Sequence, residues 1–357
     1  MTNFYSKLNI SALDAISAAQ ELVHGPVIFQ AVYSLLSHGI LEEIDKHPEG
    51  VSVAELVKSS DLNEYALGLL LDVGCSAKVI LVSDEGLYTL SKVGYFILND
   101  TMTRTNFEFY KQVCYQSMDH LDEALVTGKP AGLAVFNPEW KTIYPYLSSL
   151  PPKARDAWFA WDHLYSQTAF KEAVLKIQER YNPQLIYDVG GNSGNFAVLC
   201  AGLLPQVRIR ILDLKEQIAL AQENIKASHL EDRIDFQPVD MLQDPDLPAD
   251  ADIWWMSQFL DCFAPEDIIK MLSSISRIIK KDACLCILEP LADRQKFPAA
   301  SLAINAGSLY FTAIANGYSR FFSTPVLTGI LEKSGFVIEE VIDNLGLSNS
   351  LFICRKA

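Results

Sequence analysis

The stretch Asp188-Val189-Gly190-Gly191-Asn192-Ser193-Gly194-Asn195, followed by Leu212-Asp213-Leu214, decides how this chain folds. Residues 185–187 and 207–212 form apolar-rich runs of strand length, and each run ends in an acid. Between them lies a glycine-rich turn that opens a helical pattern over 195–204. That order describes the carboxyl edge of a parallel α/β sheet, where a nucleoside binds. Gly190, Gly191 and Gly194 let the backbone turn tightly and approach a ligand closely.

The same alternation continues on both sides of the turn. Strands are expected at 185–188, 207–212, 234–238, 253–256 and 284–288, with helices over 195–204, 215–228 and 265–279. The end differs, because 337–341 and 351–354 flank Asp343-Asn344-Leu345-Gly346 and suggest a closing antiparallel pair. The expected architecture is a doubly wound, Rossmann-like sheet in an α/β domain covering 151–357. Pro151-Pro152 marks its start.

Residues 1–150 read as mainly helical. Apolar spacing predicts helices over 11–23 and 27–36. Ser52 with Glu55 three residues on forms a capping box, and a further helix runs over 63–75. Residues 79–82 and 87–90, joined at Asp84-Glu85-Gly86, predict a β-hairpin. Helices followed by a hairpin describe a winged helix. Its recognition stretch, Asp61-Leu62-Asn63-Glu64-Tyr65-Ala66, has no Lys or Arg, which favours protein–protein contact over DNA.

The 357 residues suffice for two domains with sizeable cores. A net charge of -15 argues against nucleic acid and anionic membrane partners. No apolar stretch reaches membrane-spanning length, and Met1 to Lys7 shows no basic segment with an apolar run, so a cytoplasmic location is expected. The seven cysteines form no disulfide framework. Cys284 and Cys286 lack partners for a zinc site, so no metal is expected.

The acids choose among cofactors. Asp188 beside the turn suits the ammonium of S-adenosylmethionine (SAM), whereas it would repel a dinucleotide pyrophosphate. Asp213 can take both ribose hydroxyls, which suits either cofactor. Asp240-Met241 follows the third strand, placed to meet an adenine. A glycine turn alone could be only a tight strand-to-helix connection. Three acidic strand ends in order make SAM the expected cofactor, with S-adenosylhomocysteine as product.

With these residues the chain resembles the small-molecule O-methyltransferases that carry an N-terminal winged-helix dimerisation domain, the group including plant caffeate and bacterial polyketide O-methyltransferases. The likeness runs from about residue 15 to the end. It rests on the 188–194 loop, Asp213, Asp240-Met241, and Asp252-Ile253-Trp254-Trp255-Met256-Ser257-Gln258-Phe259-Leu260-Asp261-Cys262-Phe263. It implies a class I methyltransferase fold, a homodimer, and a small, aromatic hydroxyl acceptor. It implies cofactor contacts at Asp188, Gly190, Gly191, Gly194, Asp213, Leu214, Asp240, Met241 and Ser257, and at Ser166, which matches a cofactor-binding serine.

The family's base is a histidine in a His-Asp-Trp stretch, which here reads Asp261-Cys262-Phe263. One orienting glutamate matches Glu289, while the other falls at Ser319. A phenol near pKa 10 and an aspartate near 3.9 leave the proton transfer uphill by about 6 units, roughly 8 kcal/mol. A histidine would face a gap of only about 3.5 units. Burial of Asp261, a more acidic acceptor such as a carboxylate or enol, or positioning alone could each close that gap. Asp261 could instead cap the helix at Pro265. His163, beside Asp162 and upstream of Ser166, is a second candidate base, though it could equally sit on an ordinary amphipathic helix. Two other readings stay open: a SAM-bound enzyme of this fold catalysing a non-methylating step, and a non-catalytic dimeric binding protein.

Overall fold

The computed structural model describes residues 9–243 and 245–357. All of the Met1–Lys7 stretch considered above for a leader therefore lies outside the described residues, as do Leu8 and Asp244. The chain forms two compact units that divide between Lys111 and Gln112.

The first unit contains α1 (Ala12–Ser37), α2 (Ile40–Asp45), α3 (Val53–Ser59) and α4 (Glu64–Ser76), then β1 (Ile80–Val82) and β2 (Tyr88–Leu90). Helices α5 (Lys92–Asn99) and α6 (Thr101–Phe109) follow. The Ser52–Glu55 capping box forms in both directions and starts α3. The β1–β2 hairpin is antiparallel, and Gly86 takes the left-handed conformation its turn needs. Val32, Leu35, Ile40, Leu41, Leu56, Leu67 and Leu71 form the core. Two expected helices prove to be one, because α1 continues through Pro26. A proline usually breaks a helix, but here the second half of α1 is anchored in the core through Val32, Leu35 and Leu36.

The second unit opens with short turns of helix, including α7 (Leu121–Thr127), and continues into α8 (Pro152–Tyr181). Next come β3 (Leu185–Val189), α9 (Asn195–Leu203), β4 (Arg208–Asp213), α10 (Lys215–Ala227), β5 (Ile234–Pro238) and β6 (Ile253–Ser257). The chain ends with α11 (Pro265–Ile278), β7 (Cys284–Pro290), α12 (Pro298–Tyr310), α13 (Thr324–Lys333), β8 (Phe336–Leu345) and β9 (Asn349–Lys356). The seven strands run in the order β5-β4-β3-β6-β7-β9-β8. The first five are parallel, and the β8–β9 hairpin adds antiparallel to β7. This is the doubly wound class I architecture expected, with its closing antiparallel pair.

Strands β6 and β7 are buried almost throughout, as a sheet covered on both faces requires. One face packs Phe170, Phe196, Ile211 and Trp255, and the other packs Tyr187, Trp254, Met271 and Phe352. Strand order reverses between β3 and β6. The crevice beyond their carboxyl ends is the ligand position that this topology creates.

Candidate functional site

Two adjoining cavities occupy that crevice. The larger holds about 360 Å³ and the smaller about 80 Å³. Asp162, Gly190, Asn192 and Gln258 border both.

The glycine turn has separable jobs. Gly190 has φ +73°, and a Cβ there would sit 2.2 Å from the Phe259 ring. A Cβ on Gly191 would meet the Asp188 carboxylate at 2.7 Å. Gly194 borders neither cavity. It takes a left-handed conformation at the start of α9 and faces Ile211 and Ile225 across the helix–sheet contact. Asp188, Gly191, Ser166, Ser257 and His163 line the smaller cavity.

Asp188 is 2% exposed, and its Oδ2 meets no hydrogen-bond donor. Burial, with Asp213 nearby, pushes its carboxyl up to about 8. Ser257 Oγ and Gln258 Nε2 are likewise buried without partners. Such a cluster of orphaned polar atoms fits the ammonium and carboxylate of an amino-acid ligand. Asp213 is held firmly, with Oδ2 accepting from the Asn192 N–H at 2.8 Å and Oδ1 from the Leu214 N–H at 2.7 Å. Asp240 Oδ1 accepts from the Leu242 N–H at 3.0 Å. Leu214, Asp240 and Met241 join Asp213 in the wall of the larger cavity. The residues present therefore fit SAM, with its amino-acid end in the smaller cavity and its nucleoside along the larger.

Beyond the nucleoside end, aromatic rings from Trp158, Trp161, Phe259, Phe263, Tyr310 and Phe321 line the larger cavity. Asp261 opens onto it and is 2% exposed. It does not cap α11, whose N-cap is Ala264. Glu289, at the end of β7, is equally buried. Its Oε1 accepts from the N–H groups of Phe259 at 3.2 Å and Leu260 at 3.1 Å, while Oε2 meets no donor. The buried Asp261 and Glu289 carboxyls influence one another electrostatically. Two such buried carboxylates cannot both ionise. A proton on Glu289 Oε2 would make that atom the donor to Asp261. Burial and the Asp261 charge hold the Glu289 carboxyl well above the usual range. Burial pushes Asp261 up to about 7. The gap to a phenol then shrinks to about 3 units, roughly 4 kcal/mol, close to what a histidine would face.

The structure separates the neighbours Asp162 and His163. Asp162 borders the aromatic cavity, and its carboxyl is pushed up to about 7 by burial. His163 lies off that cavity, with Nε2 3.4 Å from Asn195 Nδ2, and burial lowers its pKa. Ser319 is buried and donates to Asn316 Oδ1 at 2.8 Å, while Asn316 donates to the Cys262 carbonyl at 2.8 Å. This pair braces the loop carrying Asp261. Sequence reasoning missed Thr142, Tyr144, Asn192, Gln258, Tyr310 and Asn316 as wall residues. Asn192, inside the glycine turn, and Gln258, inside the 252–263 stretch, had a local signal. Phe321 joins the cavity, whereas Phe322 and Trp254 pack in the core.

Residues 158–337 match the O-methyltransferase domain family, and residues 17–87 match the Dimerisation2-like domain. The 3-amino-4-hydroxybenzoate 4-O-methyltransferase of Streptomyces cremeus is 25% identical over 324 residues, covering 90% of this chain and 85% of that protein. Among solved structures, the SAM-dependent methyltransferase SibL aligns with a TM-score of 0.76 at 20% identity, over 96% of this chain and 99% of that one. Human N-acetylserotonin methyltransferase, solved with SAM, aligns with a TM-score of 0.67 at 19% identity, over 98% and 100% respectively. The structural likenesses are likenesses of fold. Among the described residues no helix is long and apolar enough to cross a membrane. With the family model covering half the chain, this protein belongs to the O-methyltransferase domain family and is a SAM-dependent O-methyltransferase.

Proposed function

We propose that this O-methyltransferase methylates a hydroxyl of a small aromatic natural product, using Asp261 as base. The buried Asp261–Glu289 pair, opening onto an aromatic cavity beside the cofactor crevice, carries the reading. SAM, when bound, supplies an electrophilic methyl group on its sulfonium. Asp188 receives the ammonium, which gives its orphaned Oδ2 a donor and draws its pKa down. Ser166, Ser257 and Gln258 complete that end, with His163 at its rim. Asp213 accepts the ribose hydroxyls, its plane already set by two N–H groups. Asp240, Met241 and Leu214 hold the base, and Gly190 and Gly191 keep the approach open while Gly194 starts the helix behind it.

The aromatic walls orient the acceptor ring and exclude water. Asp261 would take the proton of the acceptor hydroxyl, whose oxygen would receive the methyl group of bound SAM, with S-adenosylhomocysteine as the leaving group. Protonated Glu289 donates to Asp261 and holds its rotamer through the step. The working domains divide as 1–150 for dimerisation and 151–357 for methyl transfer, with residues 142–147 adding a wall to the acceptor cavity. Helix α1 leaves Leu13, Ile16, Val23 and Val27 exposed at helical spacing, which supports a homodimer. The acidic balance supports a cytoplasmic enzyme that engages neither nucleic acid nor membrane.

The test is incubation with methyl-labelled SAM and a small-molecule extract of the native cells, followed by mass spectrometry. An O-methylated aromatic product is expected. Absence of any labelled product, with S-adenosylhomocysteine still bound tightly, would overturn the reading.

A further inference from the structure

Among the described residues, the acceptor cavity carries acids and rings but no cationic side chain. Among its lining residues, Asp162, Asp213, Asp240 and Asp261 are acidic and none is Lys, Arg or His. Asp213 and Asp240 sit at the nucleoside end with backbone N–H groups on their carboxylates. The Asp162 side chain has no hydrogen bond or ion pair with any described residue, and only its carbonyl is engaged, by Ser166 Oγ at 2.9 Å. Trp158, Trp161, Tyr310 and Phe321 share its wall. Thr142 Oγ1 and the Tyr144 hydroxyl are also buried there without partners. Asp162 is partly exposed, on the cavity wall, and a half-buried carboxylate without a donor gains from meeting a proton or a cation. Aromatic faces add attraction for a cation.

We infer that the methyl acceptor carries a basic amine, received by Asp162 and the surrounding rings while its hydroxyl lies at Asp261. The inference rests on the acceptor-site reading above. A carboxylated acceptor is disfavoured at this end, since it would enter beside two acids with no Lys, Arg or His among the described lining residues to pair it. On this point the chain parts from its Streptomyces cremeus relative, which is named for a benzoate. It also weighs against one way of closing the proton gap, in which the acceptor hydroxyl belongs to a carboxylic acid.

The test uses the full chain saturated with S-adenosylhomocysteine, so that no sulfonium is present. Three probes share a 4-hydroxyphenyl ring: tyramine, N-acetyltyramine and 3-(4-hydroxyphenyl)propionate. Calorimetry should show tyramine binding at least about tenfold tighter than its acetylated form, as a charge-assisted bond implies. The propionate should not bind detectably. In Asp162→Asn the amine preference should fall below about twofold. Equal binding of amine and amide, tighter binding of the propionate, or no tyramine binding at millimolar concentration would overturn the inference, and wild-type protein alone decides these outcomes. With SAM present, product mapping separates the two readings. Amine selectivity that depends on Asp162, without any O-methyl product, supports the inference and counts against the methyl-transfer reading. A methyl group on the amine nitrogen overturns both, because it puts the amine at the reacting centre.

Discussion

Four aspartates line one cavity, and its two ends treat them differently. At the nucleoside end, Asp213 and Asp240 are tied by backbone N–H groups. At the acceptor end, no backbone donor reaches Asp162 or Asp261 among the described residues. Asp261 meets only the weak Cys262 thiol at 3.5 Å and the Glu289 carboxyl. Burial raises the Asp213 carboxyl, and its two backbone donors offset part of that rise. Without such donors, burial raises Asp261 until it can exchange a proton near neutral pH. In the proposed mechanism the same side chain would serve for holding at one end and for chemistry at the other, and the neighbouring backbone would make the difference.

The sharpest way to break this comparison is Asp261→Asn. Turnover should fall about 10²–10⁴-fold, the usual worth of a general base, while S-adenosylhomocysteine affinity changes by less than about twofold. Equal losses in both would mean that the acceptor end is not separate. The wild-type rate should also rise with pH through about 7, since the base must be ionised, and level off above it. Next in size, Asp188→Asn should weaken S-adenosylhomocysteine binding about 10–100-fold by calorimetry. The same substitution should stabilise the apoprotein at pH 8.5, where a buried charge is removed.

A third expectation follows from the raised carboxyls of Asp162, Asp188 and Asp261. A group whose pKa is higher folded than unfolded stabilises at low pH, and that stability is lost as pH rises through the folded value. The apoprotein should therefore melt at least about 5 °C lower at pH 8.5 than at pH 5.5. S-adenosylhomocysteine should recover more of the loss at pH 8.5, where Asp188 is ionised. The smallest effect belongs to Ser319→Ala, which removes one buried hydrogen bond to Asn316 and should cost about 1 kcal/mol in denaturant unfolding.

The cofactor end is legible in the sequence because its parts are local. A strand, an acid and glycines follow one another, and the turn they make needs only its own residues. The parallel strands were likewise readable within a residue or two, since buried parallel strands are short apolar runs, whereas the antiparallel 337–341 run extends to Leu345. The acceptor end is assembled from distant pieces: 142–147, 158–162, 259–263 and 310–321. Nothing within any one piece announces the others. Choosing between Asp162 and His163 depends on the rotation of α8 about its axis, set by packing of Ala169, Phe170 and Val174 further along. The Glu289 pairing spans two strand ends that only the sheet order brings together. Helix α12 also ends in a π turn, Phe311–Ala315, that no side-chain pattern signals.

Residues 112–150 pack with the catalytic unit and reach its cavity. Ile143 donates its N–H to the Ala315 carbonyl at 2.9 Å, and a Cβ on Gly132 would collide with the Ser117 and Ala313 carbonyls. A chain cut at Pro151 would keep every residue proposed to hold the cofactor yet lose a wall of the proposed acceptor chamber. The segment is thus an exchangeable insert: grafting 112–150 from a relative should retune which acceptor is accepted while leaving the nucleotide machinery as it stands.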